Sequence, residues 1–155
     1  MIDLDSSQSG QPLVTFVVFS YNQAEFIADA ILGALNQDYS PLQIIVSDDC
    51  SLDETFLIAE RLIKEYRGKH QVSLLRNETN LGLIAHVNKI FGLCKGDLIV
   101  VSAGDDISLS CRARRVAEEY LRRDRPMLLL HSDVKKIDQL GHEKGRWAPP
   151  IASRN

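Results

Sequence analysis

No apolar run in this 155-residue chain reaches the roughly 18 residues that a membrane-crossing helix needs. Cysteine is scarce: Cys50, Cys94 and Cys111 are odd in number, far apart and without a CxxC spacing, which points to free thiols in a reducing compartment and away from a zinc site. The first ten residues are polar and acidic, unlike a secretory signal, and residues 1–11 read as a flexible lead-in. The balance of 18 basic against 21 acidic residues leaves a net charge of −3 and no basis for nucleic-acid binding. Three catalytic signatures are also missing. No GxGxxG follows the first apolar run, no Walker lysine motif occurs, and no G-x-S-x-G elbow is present.

What is present suffices for one domain or a piece of a larger one. Apolar residues make up 45% of the chain and charged residues 25%, an ordinary balance for a folded core with a solvated surface. Basic residues cluster locally in Arg112-Ala-Arg-Arg115 and Arg122-Arg-Asp-Arg125, read as the solvated face of a helix.

Apolar runs alternate with helical periodicities. Val14 to Phe19 is β-branched and aromatic at nearly every position, as in a strand covered on both faces. Asn22 with Glu25 resembles a capping box for a helix whose stripe is Phe26, Ile27, Ala30, Ile31, Ala34 and Leu35. Pro41 turns the chain into a strand from Leu42 to Ser47. Ser51 with Glu54 suggests a second capping box, and Phe56, Ala59, Leu62, Ile63 and Tyr66 a second stripe ending at Gly68. Val72 to Leu75 reads as a third strand and residues 77–82 as a loop. Ile84, Val87, Ile90, Phe91 and Cys94 line a third helix that Gly96 closes before the strand Leu98 to Ser102. Ser110 is placed to cap a fourth helix, from Cys111 to about Arg123, with Val116, Tyr120 and Leu121 inward. Met127 to Leu130 starts a fifth strand reaching toward Val134, Asp138 to Gly141 makes a hairpin turn, and the tail with Pro149-Pro150 is irregular.

This order implies an α/β fold: a Rossmann-like, mostly parallel sheet with helices on both faces. Open sheets of this kind bind ligands at the carboxyl ends of their strands. Tyr21-Asn22, Asp48-Asp49, the loop 77–82 and Asp105-Asp106 all fall there. Mg²⁺ and Mn²⁺ take oxygen ligands, commonly one or two carboxylates completed by phosphate and water. Of the pair Asp105-Asp106, one carboxylate can face a cation while the other accepts from a ribose hydroxyl; the bland alternative is that both cap the following turn. Asp53 suits a helix start, which leaves Asp48 or Asp49 free to accept the imide N–H of a uracil or thymine ring. Tyr21 can stack on a base. The histidines, His70, His86, His131 and His142, lack ligand spacing and read as surface or core residues.

Four motifs in sequence resemble the family 2 glycosyltransferases of GT-A fold: Phe19-Ser-Tyr-Asn22, Asp48-Asp-Cys-Ser-Leu-Asp53, Asn80-Leu-Gly82 leading to Asn88, and Gly96-Asp97 through Ala103-Gly-Asp-Asp106. The likeness covers about Pro12 to Val134. It implies that Tyr21 and Asp49 contact the nucleobase, that Asp105 lies near the ribose, and that Asp106 binds a Mn²⁺ or Mg²⁺ bridging the diphosphate. It implies an inverting transfer from a nucleotide-diphospho-sugar, UDP or dTDP favoured, to a carbohydrate or lipid-linked acceptor. Phe19, Cys50 and Val87 depart from the residues usual in that family.

On this reading residues 12–135 form an incomplete nucleotide-sugar-binding domain. Residues 136–155 are a hairpin and irregular tail that start a truncated acceptor half, and the catalytic base lies beyond the chain end. The expected location is cytoplasmic, at the inner membrane face if the acceptor is lipid-linked; the oligomeric state, a homo-oligomer included, stays open. A non-catalytic nucleotide-sugar-binding or assembly module is the alternative. A nucleotidyltransferase would need a Gly-rich basic loop after the first strand, and a receiver domain would need its acids after the first and third strands.

Overall fold

Seven consecutive buried residues, Val14–Ser20, form β1, the strand around which the sheet is built. The computed structural model describes residues 10–123, 129–130, 132–138 and 141–147. It divides into two units, Met1–Arg122 and Arg123–Asn155. In the first, β1 is followed by α1 (Ile27–Leu35), β2 (Leu42–Asp48), α2 (Thr55–Glu65), β3 (Gln71–Arg76), α3 (Leu83–Phe91), β4 (Leu98–Ala103) and α4 (Arg112–Leu121). The four strands are parallel in the order β3-β2-β1-β4. Both central strands are buried throughout, which is why β1 and β2 read as unbroken apolar runs.

Period-two alternation divides the core between the two sheet faces. Val14, Phe16 and Val18 of β1 pack with Ile27, Ile31 and Ala34 of α1, Ala59 of α2 and Ala113 and Ala117 of α4. Val17 and Phe19 pack on the opposite face with Ile45 and Ile90, joined by Val87 of α3. The chain crosses back from β3 at one edge to β4 at the other, so right-handed crossovers put α3 on the face opposite its siblings. Phe16, Ile27, Ile31 and Ile44 are fully buried, and each such side chain contributes about 1.5–3 kcal/mol.

Helix starts differ from the sequence expectation. Asn22 does not cap α1: it has φ 52°, the helix begins at Ile27, and Phe26 precedes it without a side-chain cap. Ser51 does not cap α2 either. The helix begins at Thr55, and Asp53 Oδ1 accepts from the Thr55 amide at 3.0 Å. Cys111 rather than Ser110 precedes α4. The ends differ too. Helix α2 stops at Glu65, short of Gly68, because Tyr66 is already extended at ψ 131°. Helix α3 stops at Phe91, before Gly92. Gly96 serves a close approach instead, since a Cβ there would lie 2.5 Å from the Thr15 amide nitrogen.

Two helical faces are also corrected. On α3, Ile84 and Phe91 are exposed while His86 and Ile90 are buried. On α4, Ala113 and Ala117 are the fully buried positions and Leu121 is exposed. Arg114 and Arg122 do form a solvated face, paired with Asp38, Glu118 and Glu119. Arg112 turns inward.

The second unit holds an antiparallel hairpin, β5 (Val134–Ile137) with β6 (Glu143–Trp147). Leu129 and Leu130 lie outside any strand, and β5 begins at Val134; residues 124–128, where the fifth strand was expected to begin, lie outside the described residues, as do residues 1–9, His131, residues 139–140 and Pro149-Pro150. At the closed end of the hairpin the Gly141 amide donates to the Asp138 carbonyl at 2.9 Å, and Gly141 takes φ 80°.

Candidate functional site

Strand order decides where the acids meet. Strand β1 lies between β2 and β4, and its register sets Ser20 opposite Asp48 and Phe19 opposite Ala103. Adjacent strands are about 4.8 Å apart, so the segments after β1, β2 and β4 share one short stretch of the sheet's carboxyl edge. The connection from β1 runs to β2 on one side, while β4 flanks β1 on the other, so the topological switch lies between β1 and β4.

Asp105 and Asp106 sit in a tight turn in which the Asp106 amide donates to the Ala103 carbonyl at 3.1 Å. Both are exposed. Gly104 brings this turn against the segment after β1. A Cβ at Gly104 would lie 2.5 Å from Gln23 Oε1 and 3.0 Å from Ser20 Cβ. Gly104 thus packs against Ser20 and Gln23, the residues on either side of Tyr21-Asn22, and Tyr21 is 42% exposed.

The other acid pair is buried. Asp48 is 0% exposed and accepts from the Ser51 amide at 2.9 Å and from Ser51 Oγ, with Arg76 Nε 3.5 Å away. Arg76 also donates to the Ser51 carbonyl at 2.8 Å and stacks over Phe56 at 4.8 Å. Asp48 is thus a structural knot at the end of β2.

Asp49 organises the loop 77–82. Its Oδ1 accepts from Asn77 Nδ2 at 2.7 Å and the Leu81 amide at 2.9 Å, and its Oδ2 accepts from the Gly82 amide at 2.9 Å. Burial opposes its ionisation. The Leu81 amide, the Asn77 side chain, the charge of His86 and the Gly82 amide outweigh that and hold the carboxyl below its usual range. Asp49 is therefore an ionised acceptor at neutral pH, with one lone pair on Oδ2 beyond these contacts.

Side chains expected to cap helices instead hold the segments together. Asn22 Oδ1 accepts from the Leu52 amide at 2.8 Å, and the Asn22 amide donates to Ser51 Oγ at 2.9 Å. The next two amides do likewise, Gln23 to Thr55 Oγ1 at 2.7 Å and Ala24 to Asp53 Oδ2 at 3.1 Å. His86 is buried and bonded to Ser47; its spacing of four from the apolar Ile90 was the available signal.

Among the described residues no three His, Cys, Asp or Glu side chains converge to hold a metal by themselves. The donor set at the edge instead fits a hard divalent cation that takes one or two carboxylates and fills its remaining positions with phosphate and water. Asp105 and Asp106 are the exposed carboxylates suited to that role.

The pattern described as Glycosyl transferase family 2 matches residues 15–143. The chain is 32% identical over 141 residues to the uncharacterized glycosyltransferase MJ1057 of Methanocaldococcus jannaschii, covering 90% of this chain and 47% of that protein. It therefore spans about half the length of that relative. Its fold resembles the mannosyltransferase PcManGT from Pyrobaculum calidifontis in complex with GDP-Man and Mn²⁺, with a TM-score of 0.58 at 24% identity over 64% of this chain and 29% of that one. It also resembles S. aureus TarS in complex with UDP-GlcNAc, with a TM-score of 0.59 at 22% identity over 69% and 30% of the two chains. The parallel sheet with helices on both faces is thus of GT-A type, and the chain belongs to glycosyl transferase family 2.

Proposed function

We propose that this chain is the donor-binding portion of a metal-dependent, inverting glycosyltransferase. What supports this reading is that the end of β1, which carries Tyr21, is flanked on one side by the exposed Asp105-Asp106 turn, through Gly104 against Ser20, and on the other by Asp49, whose amide donates to the Ser20 carbonyl at 2.9 Å. Tyr21 stacks on the nucleobase. Asp49 offers its remaining lone pair to an imide N–H, which favours UDP or dTDP; the GDP-Man and UDP-GlcNAc bound by the two structural neighbours are consistent with a nucleotide-diphospho-sugar donor. Asp105 accepts from a ribose hydroxyl.

Asp106, with Asp105 adjacent, would hold Mn²⁺ or Mg²⁺ against the diphosphate. When bound, such a cation supplies Lewis-acid neutralisation of charge on the leaving group. The acceptor hydroxyl loses its proton to a base expected in the half that this chain does not span. Its oxygen attacks the anomeric carbon, and the sugar–phosphate C–O bond breaks with its electron pair leaving on the nucleoside diphosphate. Configuration inverts because attack and departure are in line. The acceptor is a carbohydrate or a lipid-linked sugar, and the reaction takes place in the cytoplasm. Among the described residues no helix is long and apolar enough to cross a membrane.

Calorimetry with UDP, dTDP and GDP, each with and without Mn²⁺, tests the reading. Mn²⁺-enhanced UDP or dTDP binding that Asp106→Asn abolishes is the expected result. Failure of every nucleotide to bind, with metal or without, would overturn it. Binding without turnover by the intact protein supplied with donor and acceptors would favour the non-catalytic module.

A further inference from the structure

The first residue of α4 points back beneath the acid pair. Arg112 Nη2 donates to the Val101 carbonyl at 2.8 Å, and Nη1 donates to Ser108 Oγ at 2.8 Å. Val101 precedes Asp105 by four residues, and Ser108 follows Asp106 by two, so one guanidinium ties together both ends of the segment that carries the acids. Its carbon lies 5.8 Å from the ring centroid of Phe16, a fully buried residue of the central strand. Ser108 is itself fixed. It is buried, its Oγ is 3.4 Å from Ser102 Oγ, and its backbone lies against Gly33 so closely that a Cβ there would be 3.0 Å away. The far end of the segment is held as well, by Gln37, whose Nε2 donates to the Leu109 carbonyl and whose Oε1 accepts from the Ala113 amide, each at 2.8 Å.

Charge accompanies geometry. Burial pushes the Arg112 guanidinium below its ordinary range, and the negative charge of Asp106 works against that push. Two adjacent carboxylates repel each other, and a guanidinium tied to both ends of their segment offsets part of that repulsion. A planar fork suits this task better than an ammonium, because it can satisfy Val101 and Ser108 at once while stacking on Phe16.

We propose that Arg112 is a positioning residue that presets the Asp105-Asp106 turn for a divalent cation carried by a nucleoside diphosphate. This rests on the donor-binding reading above. Groups that orient metal ligands without touching the metal typically change metal affinity by about 10–100-fold when removed. The loss from Arg112→Met should therefore appear in metal-dependent binding and leave metal-free nucleotide binding nearly unchanged.

The test uses the full chain and UDP as the probe. The dissociation constant is measured by calorimetry with Mn²⁺ and with chelator, and free Mn²⁺ is followed by electron paramagnetic resonance. The variants are Arg112→Met, Arg112→Lys, Ser108→Ala and Asp106→Asn, each checked for folding by circular dichroism. Arg112→Met should weaken Mn²⁺·UDP binding about tenfold or more, Arg112→Lys and Ser108→Ala should lose less, and UDP binding in chelator should move little. If Arg112→Met does not fold, Arg112→Lys and Ser108→Ala carry the same comparison. Equal losses with and without metal, or no loss in any folded variant while Asp106→Asn abolishes the metal effect, would overturn the role of Arg112 and leave the donor site standing. A metal effect that survives Asp106→Asn would overturn both.

Discussion

His86 Nε2 and Ser47 Oγ lie 2.6 Å apart in the interior, and this bond joins α3 to the end of β2 one residue before the acid pair. Both residues are nearly inaccessible, and the imidazole stands edge-on to Phe19 with ring centroids 5.0 Å apart. This serine–histidine pair is a contact between strand and helix. Its work is to seat the helix that follows the Asp49-held loop.

That burial has a pH consequence. Desolvation depresses the pKa of His86; the charges of Asp49 and Asp48 oppose the shift, and Lys89 adds to it. The unfolded chain therefore binds a proton at His86 more readily than the folded chain does. Stability linked to this residue is fully present above the unfolded pKa of about 6.5 and declines as pH falls from there toward the lower folded value. Urea midpoints measured across that range should decrease toward acid, and His86→Gln should flatten the dependence.

Asp49 is expected to matter for folding as well as for binding. Asp49→Ala removes the acceptor of the buried Asn77 amide group and of the Leu81 amide, at a residue 40% exposed, while the Gly82 amide keeps Asn80 Oδ1 at 2.8 Å. A buried unsatisfied donor costs about 1–3 kcal/mol, so the variant should lose on the order of 1–3 kcal/mol of unfolding free energy, readable by urea denaturation. The depressed pKa adds an acid limb. This stabilisation is present above the ordinary aspartate pKa and is lost as pH falls through the lower folded value.

Tyr21→Ala separates base stacking from metal binding. The ring is 42% exposed, so its loss should barely move the thermal midpoint. Stacking on an aromatic ring contributes about 1–3 kcal/mol per base. UDP affinity should drop by about tenfold, by the same factor with Mn²⁺ or with chelator. A drop confined to the Mn²⁺ condition would place Tyr21 elsewhere.

Gly104→Ala should damage both stability and binding. Gln23 Oε1, at 2.5 Å from the added carbon, can swing away, but Ser20 Cβ and Ile27 Cδ1, each at 3.0 Å, belong to the packed edge. Overpacking of this kind costs about 1–3 kcal/mol. Relief comes from moving the turn that carries Asp105, so Mn²⁺-dependent nucleotide binding should weaken in calorimetry.

The sheet was legible from sequence because burial on both faces leaves an unbroken mark: Val14 to Phe19 and Leu42 to Ser47 read as strands without any partner being known, each one residue short of its observed end. The carboxylates announced themselves by following such runs. Helix starts were not legible, for a physical reason. Asn22, Ser51 and Asp53 have the chemistry of caps, but Asn22 and Ser51 serve backbone about 29 residues away, and Asp53 divides its oxygens between Thr55 and the distant Ala24. A local pattern cannot reveal a partner that only the parallel pairing of β1 with β2 brings near. Arg112 was hidden likewise. In a run of arginines it looks solvated, and only the return of α4 beneath β4 turns it inward.

The amides of Asn22, Gln23 and Ala24 all find their acceptors in the segment that follows β2, and Asn22 returns a bond to Leu52. Neither stretch is a self-sufficient module. An engineer wishing to graft a different ligand preference onto this scaffold would have to transplant both stretches as a matched set, since a chimera carrying only one would leave three amides without acceptors at the rim of its own cleft.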